Sequence, residues 1–292
     1  MKSKVLFCKE VTPEKLLEMY NKLDKKLEGN IAVKVHSGEE GNQNYLKPEF
    51  MKPIIDYLDG TVVECNTAYA GERNTTEKHK KTITKHGWDK LFKFDLLDEE
   101  GDDIALKVKN GKHLKEDYIG NHFDKYDSML VISHFKGHPM GGYGGALKQL
   151  SIGCASSEGK SWIHSAGTNK DQYKLWDNLP PQDDFLESMA EAASAVVDYF
   201  NGNIVYINVM ANMSVDCDCC AVAEDPCMKD MGILISTDPV AIDQACIDIV
   251  TNSDDPGKEH FLERVNSRNG INTIEAANRL KVGSKDYELV EV

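Results

Sequence analysis

Four stretches of this 292-residue chain carry side chains that could do chemistry. The densest runs from Asn212 to Cys227 (NMSVDCDCCAVAEDPC) and puts Cys217, Cys219, Cys220 and Cys227 within eleven residues. Thiolates favour zinc or an iron–sulfur cluster. The C-x-C-C-x6-C spacing differs from the common C-x2-C knuckle. On an extended backbone Cys217 and Cys219 still point the same way, because alternate residues share a face. Cys220 points away unless the chain turns there, and Cys227 returns after a turn at Asp225-Pro226. Asp216, Asp218, Glu224 and Asp225 oppose thiolate formation and offer oxygen ligands instead. Four thiols this close beside charges argue for metal or cluster ligation over a loop of inert thiols. Cys8, Cys65, Cys154 and Cys246 sit in apolar or small-residue contexts and read mostly as core.

The second stretch, Ser133 to Lys148 (SHFKGHPMGGYGGALK), follows an apolar run. Gly141, Gly142, Gly144 and Gly145 allow close backbone approach to a bound group, successive amides can hold an anion, and Lys136 and Lys148 supply charge. His134 and His138 suit acid–base work or metal binding, and His164 lies farther on. The third stretch, Glu64 to Thr76, offers Arg73 as a carboxylate clamp and Thr75 or Thr76 as a helix cap. The fourth is His36-Ser37-Gly38-Glu39. Gly153 to Ser161 has one residue too many between its glycines for a nucleotide-binding P-loop and does not directly follow a strand, so that reading is rejected.

These loops need a scaffold that gathers them. Short β-rich runs alternate with amphipathic stretches: Val5–Cys8, Ile31–Val35, Thr61–Cys65, Phe92–Leu97, Ile104–Val108, Met129–Phe135, Ile204–Met210 and Ile233–Ile235 read as strands. Pro13–Leu27, Pro48–Leu58 (with Pro53 as a kink or true start), Thr76–His86, Phe185–Phe200, Pro239–Val250 and Phe261–Lys281 read as helices, and Gly137–Gly145 as a loop. Such alternation predicts an α/β fold: a mainly parallel, Rossmann-like sheet with helices on both faces. Ligands bind at the carboxyl ends of its strands, and all four polar stretches follow predicted strands. The polar segment Gly167–Asp184, with Pro180 and Pro181, is the candidate boundary between an N-terminal lobe (1–170) bearing the His/Gly/Lys loops and a C-terminal lobe (182–292) bearing the cysteines; the two lobes can also pack as one continuous domain.

Composition excludes other classes. The net charge of −14 argues against general nucleic-acid binding and against anchoring to anionic lipid. No apolar run approaches the ~20 residues that span a bilayer, and Val5–Cys8 is too short for a signal segment, so a cytoplasmic location is expected. The cysteines are then expected to be thiols or metal ligands. A small-molecule substrate is the expected partner. The sequence is compatible with a homo-oligomer without specifying one.

The residues Ser133-His-Phe-Lys-Gly-His, Gly141 to Lys148, Cys217-Asp-Cys and Gly232-Ile-Leu-Ile-Ser-Thr-Asp-Pro-Val-Ala-Ile-Asp-Gln resemble the proteins labelled uncharacterised iron–sulfur-centre proteins (domain of unknown function 362) over nearly the whole chain. Some members of that family carry an extra ferredoxin-type module with its own cysteine-rich repeats; these 292 residues show no such repeat, so any metal is expected at the Cys217 region or the histidines. The run from His138 to Lys148 is, more distantly, similar to nickel-dependent lactate racemases. That resemblance implies Lys148 as the tether of a nickel-type organometallic cofactor, His164 as a nickel ligand and His138 as an acid–base group. Gly71-Glu72-Arg73 resembles the element that supplies the racemase's second catalytic histidine, with Glu72 in that histidine's place. Two readings follow. One is a metal-dependent enzyme of redox or racemase-like type, with His138, Glu72 and Arg73 acting on a small carboxylate or hydroxy-acid-like substrate. The other is a non-catalytic iron–sulfur or zinc protein using the Cys217–Cys227 cluster for electron transfer, redox sensing or structure.

Overall fold

The computed structural model describes residues 2–101, 103–177 and 179–292. In chain order β1 (Ser3–Cys8), α1 (Pro13–Asn21), β2 (Ile31–Lys34), α2 (Pro48–Leu58), β3 (Thr61–Glu64), α3 (Thr76–His86), the short α4 (Trp88–Leu91) and β4 (Phe94–Leu96) come first. A hairpin of β5 (Asp103–Lys107) and β6 (Glu116–Gly120) precedes β7 (Ser128–His134), a small hairpin of β8 (Lys136–His138) and β9 (Gly142–Gly144), α5 (Ala146–Leu150) and α6 (Ser157–His164). Then follow α7 (Gln182–Tyr199), β10 (Ile204–Met210), β11 (Gly232–Ser236), α8 (Pro239–Thr251), α9 (Lys258–Ser267), α10 (Ile271–Arg279) and β12 (Tyr287–Glu291).

Eight strands form one sheet in the order β12-β1-β11-β10-β7-β2-β3-β4. Every neighbouring pair is parallel except the two made by β11, so β11 alone runs backwards. Strands from both sides of segment 167–184 lie in this sheet. The central strands β7 and β10 are buried at all seven positions. Their side chains alternate between two cores, as strand geometry requires. Met129, Val131, Ile204 and Tyr206 meet α5, α7 and α8 on one face; Leu130, Ile132, Val205 and Ile207 meet α1, α2 and α3 on the other.

Several elements depart from the sequence expectations. Helix α1 stops at Asn21, where Lys26 Nζ bonds the carbonyls of Tyr20, Asn21 and Leu23 at 2.8, 3.1 and 2.9 Å. Pro53 lies inside α2, which begins at Pro48 with proline in its first turn. The glycine-rich stretch is a hairpin rather than a loop, with Lys136 paired to Gly144 and His138 to Gly142. The C-terminal helix is split into α9 and α10 around Asn269, whose φ is +50°. No helix among the described residues is long and apolar enough to cross a membrane.

Candidate functional site

Because β2, β3, β4, β7 and β10 run the same way, their carboxyl ends share one sheet edge, and the loops that follow them build the site there. Strand β2 delivers Lys34 and, past its end, His36. Strand β3 delivers Glu64 and Cys65, and the next loop carries Tyr69 and Arg73. Strand β7 ends at His134 and continues into the hairpin bearing Lys136 and His138. Helix α6, capped by the Ser156 hydroxyl on the N–H of Gly159, presents Lys160 and His164 one turn apart on one face. Helix α5 carries Lys148. The buried Asp243 of α8 fixes the start of α5: its carboxylate accepts the N–H groups of Ala146 and Leu147 (2.7 and 3.0 Å), the Asn208 amide (2.8 Å) and the Tyr143 hydroxyl (3.2 Å).

The cysteine loop, residues 211–231, starts and ends on this edge because β11 reverses direction. Bonds from the loop after β2 and from α9 fasten it. The Glu39 N–H bonds the Asp218 carbonyl (2.8 Å), the Asn42 amide bonds the Cys220 carbonyl (2.8 Å), and Arg264 of α9 bonds the Val215 carbonyl (2.6 Å).

The result is a narrow cleft whose walls include His36, Cys65, Tyr69, Arg73, His138, Lys148, Lys160, His164 and Cys219. Five expected site residues therefore meet there: Arg73, His138, Lys148, His164 and Cys219. A small crevice with room for about one water adjoins it and includes Lys136, Gly144, Gly145 and again Lys148 in its lining. The remaining residues lie elsewhere. Glu72 points outward to Lys78 (3.4 Å), because its neighbour Arg73 turns into the protein. Gly142, with φ +80°, lets β9 lie against Gly270 and Val265, and Gly141 stands beside Met189; both pack the hairpin rather than line the cleft or the crevice. Cys227 donates to the Met213 carbonyl at 3.3 Å and packs against the core, and Cys220 is half-buried.

Two buried ionic networks hold the walls. Glu64 accepts from Lys34 Nζ (3.0 Å), the N–H and hydroxyl of Ser37 (2.7 and 3.0 Å) and Arg73 Nη1 (3.4 Å). Burial opposes its charge, yet Lys34, His36 and Arg73 hold its carboxyl well below the ordinary value. Arg73 also reaches Glu39 (3.2 Å) through Nε and the Tyr69 hydroxyl (3.0 Å) through Nη2. Its guanidinium is engaged within the protein rather than open to clamp a carboxylate. In the second network Asp218 faces His134 Nδ1 (2.9 Å) and Lys136 Nζ (3.0 Å). Despite burial, those partners hold its carboxyl well below the usual range. Lys148 Nζ has no hydrogen-bond or ion-pair partner among the described residues.

The cleft histidines differ in polarity. His138 Nδ1 accepts the N–H groups of Gly141 (2.8 Å) and Met140 (3.2 Å), so the neutral ring carries its proton on Nε2, which faces Cys219 Sγ at 3.9 Å. His164 Nδ1 instead donates to the Lys160 carbonyl (2.7 Å), leaving the Nε2 lone pair exposed to the cleft; its ring stacks on Phe185. Burial first, and Lys148 as well, push both histidines down to about 4, so both are neutral at pH 7.

The donor atoms of His138, Cys217 and Cys219 lie within 4.8 Å of one another, a candidate metal-binding group. The two sulfurs suit a soft metal. His138 does not complete the set in this tautomer, because a ligating histidine donates its outer nitrogen and here that nitrogen accepts. Cys220 and Cys227 stand outside the group, so the cysteines do not fit a four-thiolate cluster. A nickel-type group fits better: Lys148 is an unpartnered amine and His164 offers a lone pair, and both line the cleft.

Sequence reasoning missed Glu39 and Glu64 as the holders of Arg73, Lys34 as the counter-charge of Glu64, and Asp243 as the anchor of α5. The available signal was a charge inside an otherwise apolar run, as in IAVKV, TVVEC and PVAIDQACI.

The architecture is similar to the lactate racemase apoprotein from Thermoanaerobacterium thermosaccharolyticum (TM-score 0.42, 10% identity, covering 70% of this chain and 50% of that one). It is also similar to a crystal structure of a protein from Thermotoga maritima (TM-score 0.42, 12% identity, covering 91% and 58%). This chain thus spans half of the first protein and somewhat over half of the second. No curated protein matches it. A family model described as a domain of unknown function (DUF362) matches residues 31–248, and the chain belongs to that family.

Proposed function

We propose that the cleft is the active site of an enzyme of racemase-like or redox type that acts on a small anionic hydroxy-acid or carbonyl compound. The observation that carries this reading is the opposite hydrogen-bond polarity of two buried histidines in one cleft. His138 offers an Nε2–H that can polarise a substrate oxygen, as a neutral imidazole does in other proton-abstracting sites. His164 offers a lone pair that can take a proton from the adjacent carbon. Lys148 supplies the counter-charge for the anion. An anion beside Lys148 offsets one of the influences that depress His164, so substrate binding itself strengthens the base.

A nickel-type organometallic group, if bound, would supply a hydride acceptor, and Lys148 and His164 are the residues that would hold it. The 4.8 Å grouping of His138, Cys217 and Cys219 favours a second reading, a protein that binds a soft metal through its thiols without catalysis.

The test is loss of the α-proton signal by NMR in D2O, over a panel of 2-hydroxy and 2-keto acids with and without a phosphate group. At least one member should exchange, and His164→Ala should slow that exchange at least ~100-fold, the usual scale for a general base. Exchange that survives exhaustive chelation belongs to the histidine; racemisation without exchange that is lost on chelation would belong to the metal-dependent form, because a hydrogen passed as hydride is not traded with solvent. Neither exchange nor racemisation across the panel, together with metal that disappears on Cys217→Ser and Cys219→Ser but not on His164→Ala, would replace the enzyme reading with the second.

A further inference from the structure

Three lysines are buried at this sheet edge, and one is unlike the other two. Lys34, Lys136 and Lys160 are 0%, 5% and 6% exposed. Lys34 and Lys136 each face a carboxylate at 3.0 Å, Glu64 and Asp218 respectively. Lys160 has no carboxylate within ion-pair distance among the described residues, and its one hydrogen bond there goes to the Ala155 carbonyl at 2.5 Å. An ammonium has three N–H groups to place and, when buried, needs a counter-charge. This setting suits a neutral amine instead, which donates one N–H to Ala155 and keeps a lone pair. Burial depresses Lys160 from the ordinary lysine value, against the pull of Cys65 and Asp98. Burial also pushes the Cys65 thiol well up, so that neighbour stays uncharged. Lys160 lines the cleft with His138, Lys148 and His164, and it stands one turn before His164 on α6.

We propose that Lys160 is a carbonyl-reactive amine that holds the substrate covalently as an imine. The inference rests on the cleft being a small-molecule site and adds the substrate class. The cleft has room for about four to six waters, which fits a two- or three-carbon 2-keto acid. The Nζ lone pair attacks the carbonyl carbon; a C–N bond forms and the C=O π pair moves to oxygen. The two amine protons pass to that oxygen by way of His164 Nε2 and leave with it as water, so the step needs no oxidant or reductant. Lys148 meets the carboxylate, and the His138 Nε2–H meets the departing oxygen. A proton taken from solvent by the imine nitrogen then makes C=N a stronger electron sink than the C=O it replaced, which loosens the neighbouring C–H that His164 removes.

The test is trapping with cyanoborohydride, whose hydride adds to the imine carbon and leaves a stable secondary amine. The full chain is incubated with pyruvate and the reductant, weighed intact and mapped by peptide mass spectrometry. One reduced adduct per chain is expected, on Lys160, saturating with pyruvate before the exposed lysines react. Lys160→Met should lose it. Lys148→Met should keep it on Lys160 while needing at least ~10-fold more pyruvate, the scale of one lost contact to a charged group. Mapping the native chain decides the case even where Lys160→Met does not fold. An adduct on Lys148 instead, labelling spread over exposed lysines, or no adduct would overturn the proposal. Any of those results would leave the proton-exchange reading standing, since that is judged by exchange at carbon and by His164→Ala. A Lys160 adduct without any exchange would do the reverse, supporting the imine and removing that reading.

Discussion

Replacing Glu64 by Gln tests whether the first buried network holds the wall of the cleft. The side chain keeps its shape, and its remaining oxygen can still accept from the N–H and hydroxyl of Ser37, now 2.7 and 3.0 Å away. What disappears is the negative charge facing Lys34, which is fully buried and whose other hydrogen bond among the described residues goes to the Val35 carbonyl at 2.6 Å. Breaking a buried pair by removing one partner costs about 3–5 kcal/mol, because the survivor is an uncompensated charge. At roughly 2–4 °C per kcal/mol, the melting temperature should fall by about 6–20 °C. Urea unfolding followed by tryptophan fluorescence suits the measurement, because buried Trp88 bonds the Ser37 carbonyl (3.1 Å) beside the network. Adding Lys34→Met to Glu64→Gln should restore more than half of the loss. Ionised Glu64 sits below its ordinary value in the folded state, so its share of stability is present at neutral pH and is lost only as pH falls through the folded value. The variant should therefore show a shallower acid limb than the native protein. A loss within the ~0.5 kcal/mol of a surface change, or no rescue by Lys34→Met, would refute the reasoning.

Lys148→Met should raise both His138 and His164 from about 4 toward the ordinary histidine value, since Lys148 is among the groups depressing each; histidine ring NMR during a pH titration reads this directly, and unchanged values would detach Lys148 from the cleft. Asp243 should leave a signature in stability against pH. Burial raises its carboxyl from 3.8 to about 6. The protonated form therefore favours the fold, and its contribution is complete below the unfolded value and lost as pH rises through about 6. Relative to Asp243→Asn, the native protein should lose about 3 kcal/mol between pH 4 and 7 in urea unfolding, because each pH unit between the unfolded and folded values is worth about 1.36 kcal/mol. Parallel curves would contradict the assignment.

The main architecture was legible because buried parallel strands announce themselves. Met129–Phe135 and Ile204–Met210 are nearly uninterrupted apolar runs, and each is a central strand. The hairpin at Lys136–Gly144 was not legible, because three-residue strands rich in glycine show no periodicity. Nor was the break at Asn269, where one residue takes a left-handed conformation inside an amphipathic stretch. In the site, His138, Lys148 and His164 were visible from type and spacing. Their roles were not, because polarity depends on what the other ring nitrogen meets: two backbone N–H groups for His138, a carbonyl for His164. The placement of Arg73 was hidden for a related reason. Its partners Glu39 and Glu64 lie 34 and 9 residues away in sequence, and His134 and Asp218 lie 84 apart, so only the fold reveals which charges are already satisfied.

The reversed strand β11 explains why cysteines and histidines share one edge. In a parallel sheet the connection after β10 would cross to the opposite edge, taking residues 211–231 away from the cleft. Because β11 pairs antiparallel with β10, with Met210 opposite Gly232, the loop begins and ends where the other functional loops lie. Its backbone can then be tied to the β2 loop through Glu39 and Asn42 and to α9 through Arg264. Those ties set Asp218 against Lys136 and His134, and Cys219 against His138. The same ties separate the cysteines. Cys217 and Cys219, two residues apart on the fastened part, face inward together, whereas Cys227 lies past the turn at Pro226, held to Met213. Proximity in sequence therefore brought two of the four thiols to the site and carried a third away. The cleft is accordingly better described as a histidine–lysine pocket edged by a thiol pair than as a four-cysteine centre.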